Sequence, residues 1–535
     1  MPNVLHDSSA RPKWNLQLES ASPHLAVRGL ALIPLQSSGS LRNSPRPPQF
    51  QAQSSSRMSV VLRLTLLLLA VALSPLPTQA TNKYPIILVN GFSGWGRDEL
   101  LGFRYWGGIQ GDFQDELTAQ GYTVYTAAVG PFSSNWDRAC ELFAIIKGGR
   151  VDYGKKHSAT HNHLQYGRNY TGLYSKWGTA NSDGSINKVH LIGHSMGGQT
   201  VRMLAQLLEH GTTGAPIQED PSSHTLFKGG KSWVHSITTI STPNQGTTLG
   251  DGFSTIGDSV KDLLAGVLSV VGVLGDSAKM VYDAKLDQWG ITNKQSGETI
   301  QAYLDRVFSS KIFDPNFKDV CLWSLSTGGA KEEVTWVKTL SDVYYYSYAT
   351  IDTYNTRDLL LRKISLPNLL TMLLPLDPLA VFLGGRYAPD TLKLSTDWQP
   401  NDGVVPTISM GSDGVGTAIT FAGSSQLGKW NKMPQLNRLD HLAVIGVTLH
   451  TQVLDLYEGH AALLYALPSS SSRRLADSTA AVVKLDTAIL ELTAATTSVE
   501  TKSDLESLCQ SPKNSYAQSY CTKMLESAST RRLRG

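Results

Sequence analysis

The sequence has little net charge, few cysteines, no internal repeat and only one long apolar run. Lys and Arg number 47 against 44 Asp and Glu, a net charge of +3. No chain-wide field therefore draws it to nucleic acid or to an anionic membrane. No segment recurs at a fixed period, which excludes a solenoid or propeller array. Four cysteines are present, Cys140, Cys321, Cys509 and Cys521. Three pairings are open to them, and sequence does not choose among these. Cys509 and Cys521, close together in the tail, are expected to pair with each other. The apolar run, Leu64 to Leu73, is shorter than the roughly 20 residues that a membrane-spanning helix needs.

What surrounds that run explains it. Met58 opens the segment, Arg63 is its one charge, and Thr78-Gln79-Ala80 offers a small-residue cleavage site. This is the pattern of a secretory signal peptide over 58–80. It predicts an extracellular protein starting at or near Thr81, with no stable membrane anchor. Residues 1–57 are rich in Ser, Pro, Arg and Gln; they are expected to be a non-native or disordered extension, with translation starting at Met58. Export permits disulfides, and in a eukaryotic source Asn169-Tyr170-Thr171 would be a glycosylation sequon.

The rest reads as one large globular domain over 81–467, with apolar residues at 41 % and charged ones at 17 %. Buried strands are predicted at 84–92, 122–129, 189–192 and 236–240, and further strands at 343–349 and 418–421. Helices at 134–146 and 199–209 alternate with them. That order implies an α/β fold with a mostly parallel central sheet. Beyond 468 the chain turns to Ser, Thr and Ala, a low-complexity linker and tail with a possible helix at 480–507.

The most informative segment is Val189-His190-Leu191-Ile192-Gly193-His194-Ser195-Met196-Gly197-Gly198. A Gly-x-Ser-x-Gly sequence lies between an apolar strand and a helix, the arrangement of a nucleophile elbow. The serine needs a strained turn, and its neighbours must be small for strand and helix to approach. Ser195 is thus the expected nucleophile. The oxyanion donors are expected to be the backbone amides of Met196 and of Phe92, which follows the first strand in Asn90-Gly91-Phe92. Asn90 stands where many hydrolases have His, but a backbone donor does not depend on that side chain.

Residues 84 to about 460 resemble the secreted true lipases of the Geobacillus and Staphylococcus type. The matching blocks include GFSGWGRDELLGFRYWGG from Gly91, SSNWDRACE from Ser133, GGRVDYGKKH from Gly148, SITTISTPNQGTTL from Ser236, KLDQWG from Lys285 and WQPNDGVV from Trp398. The resemblance implies an α/β-hydrolase fold with an inserted zinc subdomain and a helical lid. It also implies a triad in which Asp402 is the acid and His441 the histidine. The residues alone leave other acids open, and His450 and His460 as well. Phe253 to Leu274 carries apolar residues at three- and four-residue steps, an amphipathic helix. It is either a core helix or, as the resemblance implies from its place, a lid.

The resemblance further implies a structural zinc held by Asp137, His157, His163 and Asp319; His161 corresponds to no ligand. Cys140 and Cys321 flank two of these residues and are expected to lie near each other, with a bond between them open. The family's calcium acids fall on Ala443, Thr448 and Leu449, so a calcium site is expected to be absent. The implied activity is hydrolysis of triacylglycerol esters at a lipid–water interface, through an acyl-enzyme. A carboxylesterase or phospholipase on the same scaffold, and an inactive lipid-binding relative, are the alternatives.

Overall fold

The computed structural model describes residues 82–252, 281–314, 316–386, 393–448 and 452–469, with Leu485, Asp486, Ala488 and Ile489. The expected signal peptide, the Phe253–Leu274 helix, Leu449, His450, Cys509 and Cys521 lie outside the described residues.

Seven strands form one sheet. They are β1 (Ile86–Val89), β2 (Val124–Ala127), β3 (Val189–His194), β4 (Val234–Ile240), β5 (Tyr344–Tyr348), β6 (Ala418–Thr420) and β7 (Trp430–Lys432). Their spatial order is β6-β7-β5-β4-β3-β1-β2, and every neighbouring pair is parallel. The sequence of β1, IILV, shows why. All four residues are buried. Ile86 and Leu88 enter one apolar core, Ile87 and Val89 the other. Alternate side chains of a strand point to opposite faces, so a strand with no polar face must be covered on both. Helices α1 (Asn135–Lys147) and α2 (Met196–His210) supply one cover, and α3 (Leu454–Ala466) packs in the other core.

The expected elements are found with shifted ends. Helix α2 begins at Met196, three residues earlier than its apolar pattern, because Gly197 and Gly198 weaken that pattern. Strand β7 carries no obvious signal in sequence. It is three residues long, and its Asn431 is held by side-chain bonds to the carbonyls of Tyr345, Gln426 and Lys429. In the tail, Leu485, Ala488 and Ile489 are buried, Leu485 and Ile489 within the α3-side core.

Cys140 and Cys321 do not form a bond; both thiols are free and buried. The physical reason is the sheet. Cys140 packs with α1 in the core on one face, whereas Cys321 packs in the core on the other. Shared proximity to a cluster of polar groups does not turn two thiols toward each other.

Candidate active site and metal centre

Ser195 occupies the single residue between β3 and α2, with φ 53° and ψ −132°. That region is sparsely populated for a residue with a Cβ and costs roughly 1–3 kcal/mol, which the surrounding packing must impose. Three glycines make the packing possible. A Cβ on Gly193 would lie 2.3 Å from the Gly197 carbonyl carbon, and one on Gly197 would lie 2.4 Å from the Val89 oxygen. One on Gly91 would lie 2.6 Å from the Ser195 Cβ. The end of β1, the serine turn and the start of α2 therefore meet at closest approach.

The loop after β1 is braced from below. Arg138 of α1 is fully buried and donates to the carbonyls of Asn90 and Gly130 and to Thr200 Oγ1. Asn90 closes the same loop from its side chain, accepting the Val129 amide at 2.9 Å. The Gly91 amide is taken by the Tyr105 hydroxyl at 2.8 Å. Among the described residues, the amides of Phe92 and Met196 donate to nothing. Two free amides at a buried serine are what an oxyanion requires.

Asp402 and His441 meet. His441 Nδ1 donates to Asp402 Oδ2 at 2.8 Å, and the His441 amide donates to the Asp402 carbonyl at 2.9 Å. Asp402 has no exposure. Its Oδ1 accepts the amides of Val404 and Val405, and its Oδ2 also accepts the Thr350 hydroxyl at 2.7 Å. A carboxylate held by that many donors is fixed in place. Gly403, with φ 97°, lets the turn fold back so that those amides reach it. His460 is elsewhere. It is buried between Thr238 Oγ1 and the Tyr348 hydroxyl, and burial pushes it down to about 3.

His194 joins the two halves of the site. Its Nε2 donates to the His441 carbonyl at 2.9 Å, so its Nδ1 accepts from the Tyr105 hydroxyl at 2.6 Å. Burial and the neighbouring His441 hold it neutral, well below the usual histidine range. Sequence reasoning did not assign Tyr105, Arg138, His194 or Thr350 a role. The first three stand inside the quoted blocks, but nothing in their spacing shows whom they touch.

A narrow pocket of about 50 Å³ opens on Ser195. Its walls are almost wholly apolar, formed by Phe92, Leu249, Leu322, Leu325, Leu379 and Val405.

A second cluster lies away from the serine. Asp137, His157, His163 and Asp319 place one donor atom each within 4.8 Å of one another. His157 Nε2 is 3.2 Å from both Asp137 Oδ1 and Asp319 Oδ1, and His163 Nε2 is 3.2 Å from Asp319 Oδ2. In three of these groups the other polar side-chain atom is hydrogen-bonded elsewhere. His163 Nδ1 donates to the Leu164 carbonyl, Ser134 Oγ to Asp319 Oδ1, and Gln288 to Asp137 Oδ2. Asp137 Oδ1, His157 Nε2, His163 Nε2 and Asp319 Oδ2 are buried without a hydrogen bond. Four orphaned donors converging on one point fit a tetrahedral cation. Burial opposes charge on His157, yet Asp319 and Asp137 raise it to about 10: the cluster demands positive charge. His161 stays outside the group of four.

Where calcium acids were expected to be missing, Ala443 is fully buried, and Gln110 ties the loop after His441. Its amide donates to the Thr448 carbonyl at 2.6 Å and its oxygen accepts the Val453 amide at 3.0 Å.

Seven parallel strands covered on both faces, with a strained serine at the carboxyl end of the third, place the chain in the α/β class. A family described as "Lipase-like, C-terminal domain" matches residues 82–459, and the chain belongs to that family. It is 33 % identical over 377 residues to a lipase of Staphylococcus hyicus, covering 69 % of this chain and 55 % of that protein. It thus spans about half the length of the curated relatives it matches. Among solved structures, lipase 1 from Pelosinus fermentans is 45 % identical with a TM-score of 0.64, over 72 % of this chain and 99 % of that one. EstA from Clostridium botulinum is 42 % identical with a TM-score of 0.66, over 75 % and 91 %.

Proposed function

We propose that this chain is a secreted triacylglycerol lipase that works through Ser195, His441 and Asp402. The observation that carries the reading is the strained Ser195 beside two undonated amides, with the His441–Asp402 pair at the same end of the sheet. Ser195 Oγ attacks the ester carbonyl. His441 Nε2 takes the serine proton and passes it to the leaving alcohol. Asp402 holds Nδ1–H in place and stabilises the imidazolium. The amides of Phe92 and Met196 receive the developing oxyanion, and the apolar pocket takes the acyl chain. Water then releases the acyl-enzyme by the same route in reverse.

The four-residue cluster is proposed to hold zinc. Asp137, His157, His163 and Asp319 are hard and borderline donors in a closed set of four, which suits a structural site and leaves no position for substrate. When bound, the metal would supply the positive charge that the buried carboxylates require. No calcium site is proposed near His441. The segment Phe253–Leu274 is proposed as the lid.

Hydrolysis measured across ester chain lengths, dissolved and emulsified, tests the reading. Long-chain emulsified esters should be cleaved; cleavage of dissolved short esters alone would make the protein a carboxylesterase. Absence of both turnover and a stoichiometric acyl burst would make it an inactive lipid-binding relative.

A further inference from the structure

Strands Thr353–Arg357 and Lys363–Pro367 pair as an antiparallel hairpin between β5 and Asp402. Its tip is Leu359-Leu360-Leu361, with exposures of 102 %, 70 % and 71 %. Single exposed leucines are ordinary on protein surfaces, but three in succession at a loop tip are not.

The tip is also built rather than loose. Asp358 Oδ1 accepts the amides of Leu360 and Arg362, each at 2.9 Å. The Leu361 amide donates to the Asp358 carbonyl, and the Asp358 amide to the Arg362 carbonyl. The Arg357 guanidinium donates to the Leu361 carbonyl at 2.6 Å. Leu361 holds φ 59°, a left-handed conformation that leucine rarely adopts. The amides of Asp358, Leu360, Leu361 and Arg362 are thus paired within the turn, and its leucines face outward. A segment entering hydrocarbon has the same requirement, because an unpaired amide there is costly.

Charge points the same way. Arg357, Arg362 and Lys363 are exposed around the tip, against the single acid Asp358. The chain then runs through exposed Leu369, Leu370 and Leu374 to the helix Asp377–Gly384, whose Leu379 lines the Ser195 pocket.

We propose that this hairpin is a lipid-surface anchor. Leu359, Leu360 and Leu361 enter the apolar layer, while Arg357 and Lys363 meet carboxylates at its surface. The proposal rests on the ester-hydrolase reading, since hydrolysis loads the interface with fatty-acid carboxylates and so makes it anionic. Binding would then strengthen as product accumulates.

The test separates binding from turnover. In a Ser195→Ala background, the protein is sedimented with phosphatidylcholine vesicles with and without oleate. Binding should be stronger with oleate and weaken in high salt. Replacing Leu359, Leu360 and Leu361 by Ser should lower partitioning at least about tenfold, given the apolar area removed. Lys363→Glu should weaken binding on the oleate vesicles only. In the otherwise unaltered protein, the triple substitution should leave cleavage of a dissolved short ester unchanged, which shows that the fold is intact. Undiminished vesicle binding by the triple variant, or no preference for oleate, would overturn the proposal. Failure of ester hydrolysis with vesicle binding intact counts against the activity alone.

Discussion

The His194 ring lies against that of His441, with centroids 4.7 Å apart, and holds the His441 carbonyl through its Nε2. The residue before the proposed nucleophile thereby positions the proposed general base. Tyr105 closes the chain of bonds by linking His194 to the Gly91 amide, one residue before the expected oxyanion donor.

Tyr105→Phe should therefore slow turnover without touching substrate. It leaves the Gly91 amide and His194 Nδ1 buried and unpaired, at roughly 1–3 kcal/mol each. The expected result is a fall in kcat of about tenfold or more with KM nearly unchanged. Equal kcat in a folded variant would show that the chain of bonds does not set the catalytic geometry.

Ser195→Ala should abolish ester hydrolysis while leaving the circular dichroism and melting temperature close to those of the parent. Loss of a triad member commonly removes several powers of ten in rate. The strain at φ 53° remains, since alanine also carries a Cβ. Substantial residual activity in a preparation free of parent protein would dismiss the serine assignment.

A strong zinc chelator should lower the thermal midpoint, and a calcium-selective one should leave it almost unchanged. Without a cation, Asp137 and Asp319 face each other in a buried site, and burial with Asp319 nearby raises the Asp137 carboxyl. Asp319→Asn should also weaken zinc retention, measured by metal analysis after dialysis. Destabilisation by the calcium-selective reagent would mean that other oxygens hold calcium near His441.

Acid should destabilise the fold through its buried neutral histidines. Burial lowers His235 and His460 to about 3, from an ordinary value of 6.5. His190 is also held well below that value by burial, with His235 and His460 adding to the effect. The unfolded chain then binds more protons than the folded one between those limits. Stability is full above about pH 6.5 and falls as pH drops toward 3. His460→Gln should lower the midpoint at neutral pH, through lost bonds to Thr238 and Tyr348, yet flatten its decline in acid. A decline as steep as the parent's would place the acid sensitivity elsewhere.

Much of the fold could be read from the sequence, for a physical reason. Strands such as β1 and β4 are buried on both faces, so burial writes itself into every residue. The elbow was legible because sterics allow little besides glycine at 193 and 197. The Asp402–His441 contact and the grouping of Asp137, His157, His163 and Asp319 were expected only through resemblance, since they come together from distant parts of the chain. What escaped was contact chemistry. Nothing in the sequence singles out Thr350 until its hydroxyl is seen on Asp402. No role for Arg138 follows from the sequence, yet it is buried under the loop after β1. For Cys140 and Cys321 the sequence left a bond open, and both thiols are free.

The bond from Ser134 to Asp319 joins residues 185 positions apart. Ser134 also caps the helix that carries Asp137. A nascent chain emerging from its amino end therefore carries Asp137, His157 and His163 long before it carries Asp319. The cluster cannot close until most of the sheet has been synthesised. Closure reports that α1, the 157–163 segment and the segment before β5 have been brought together. The cation, once captured, would act as a latch on that closure, and a product truncated before Asp319 would lack the means to set it.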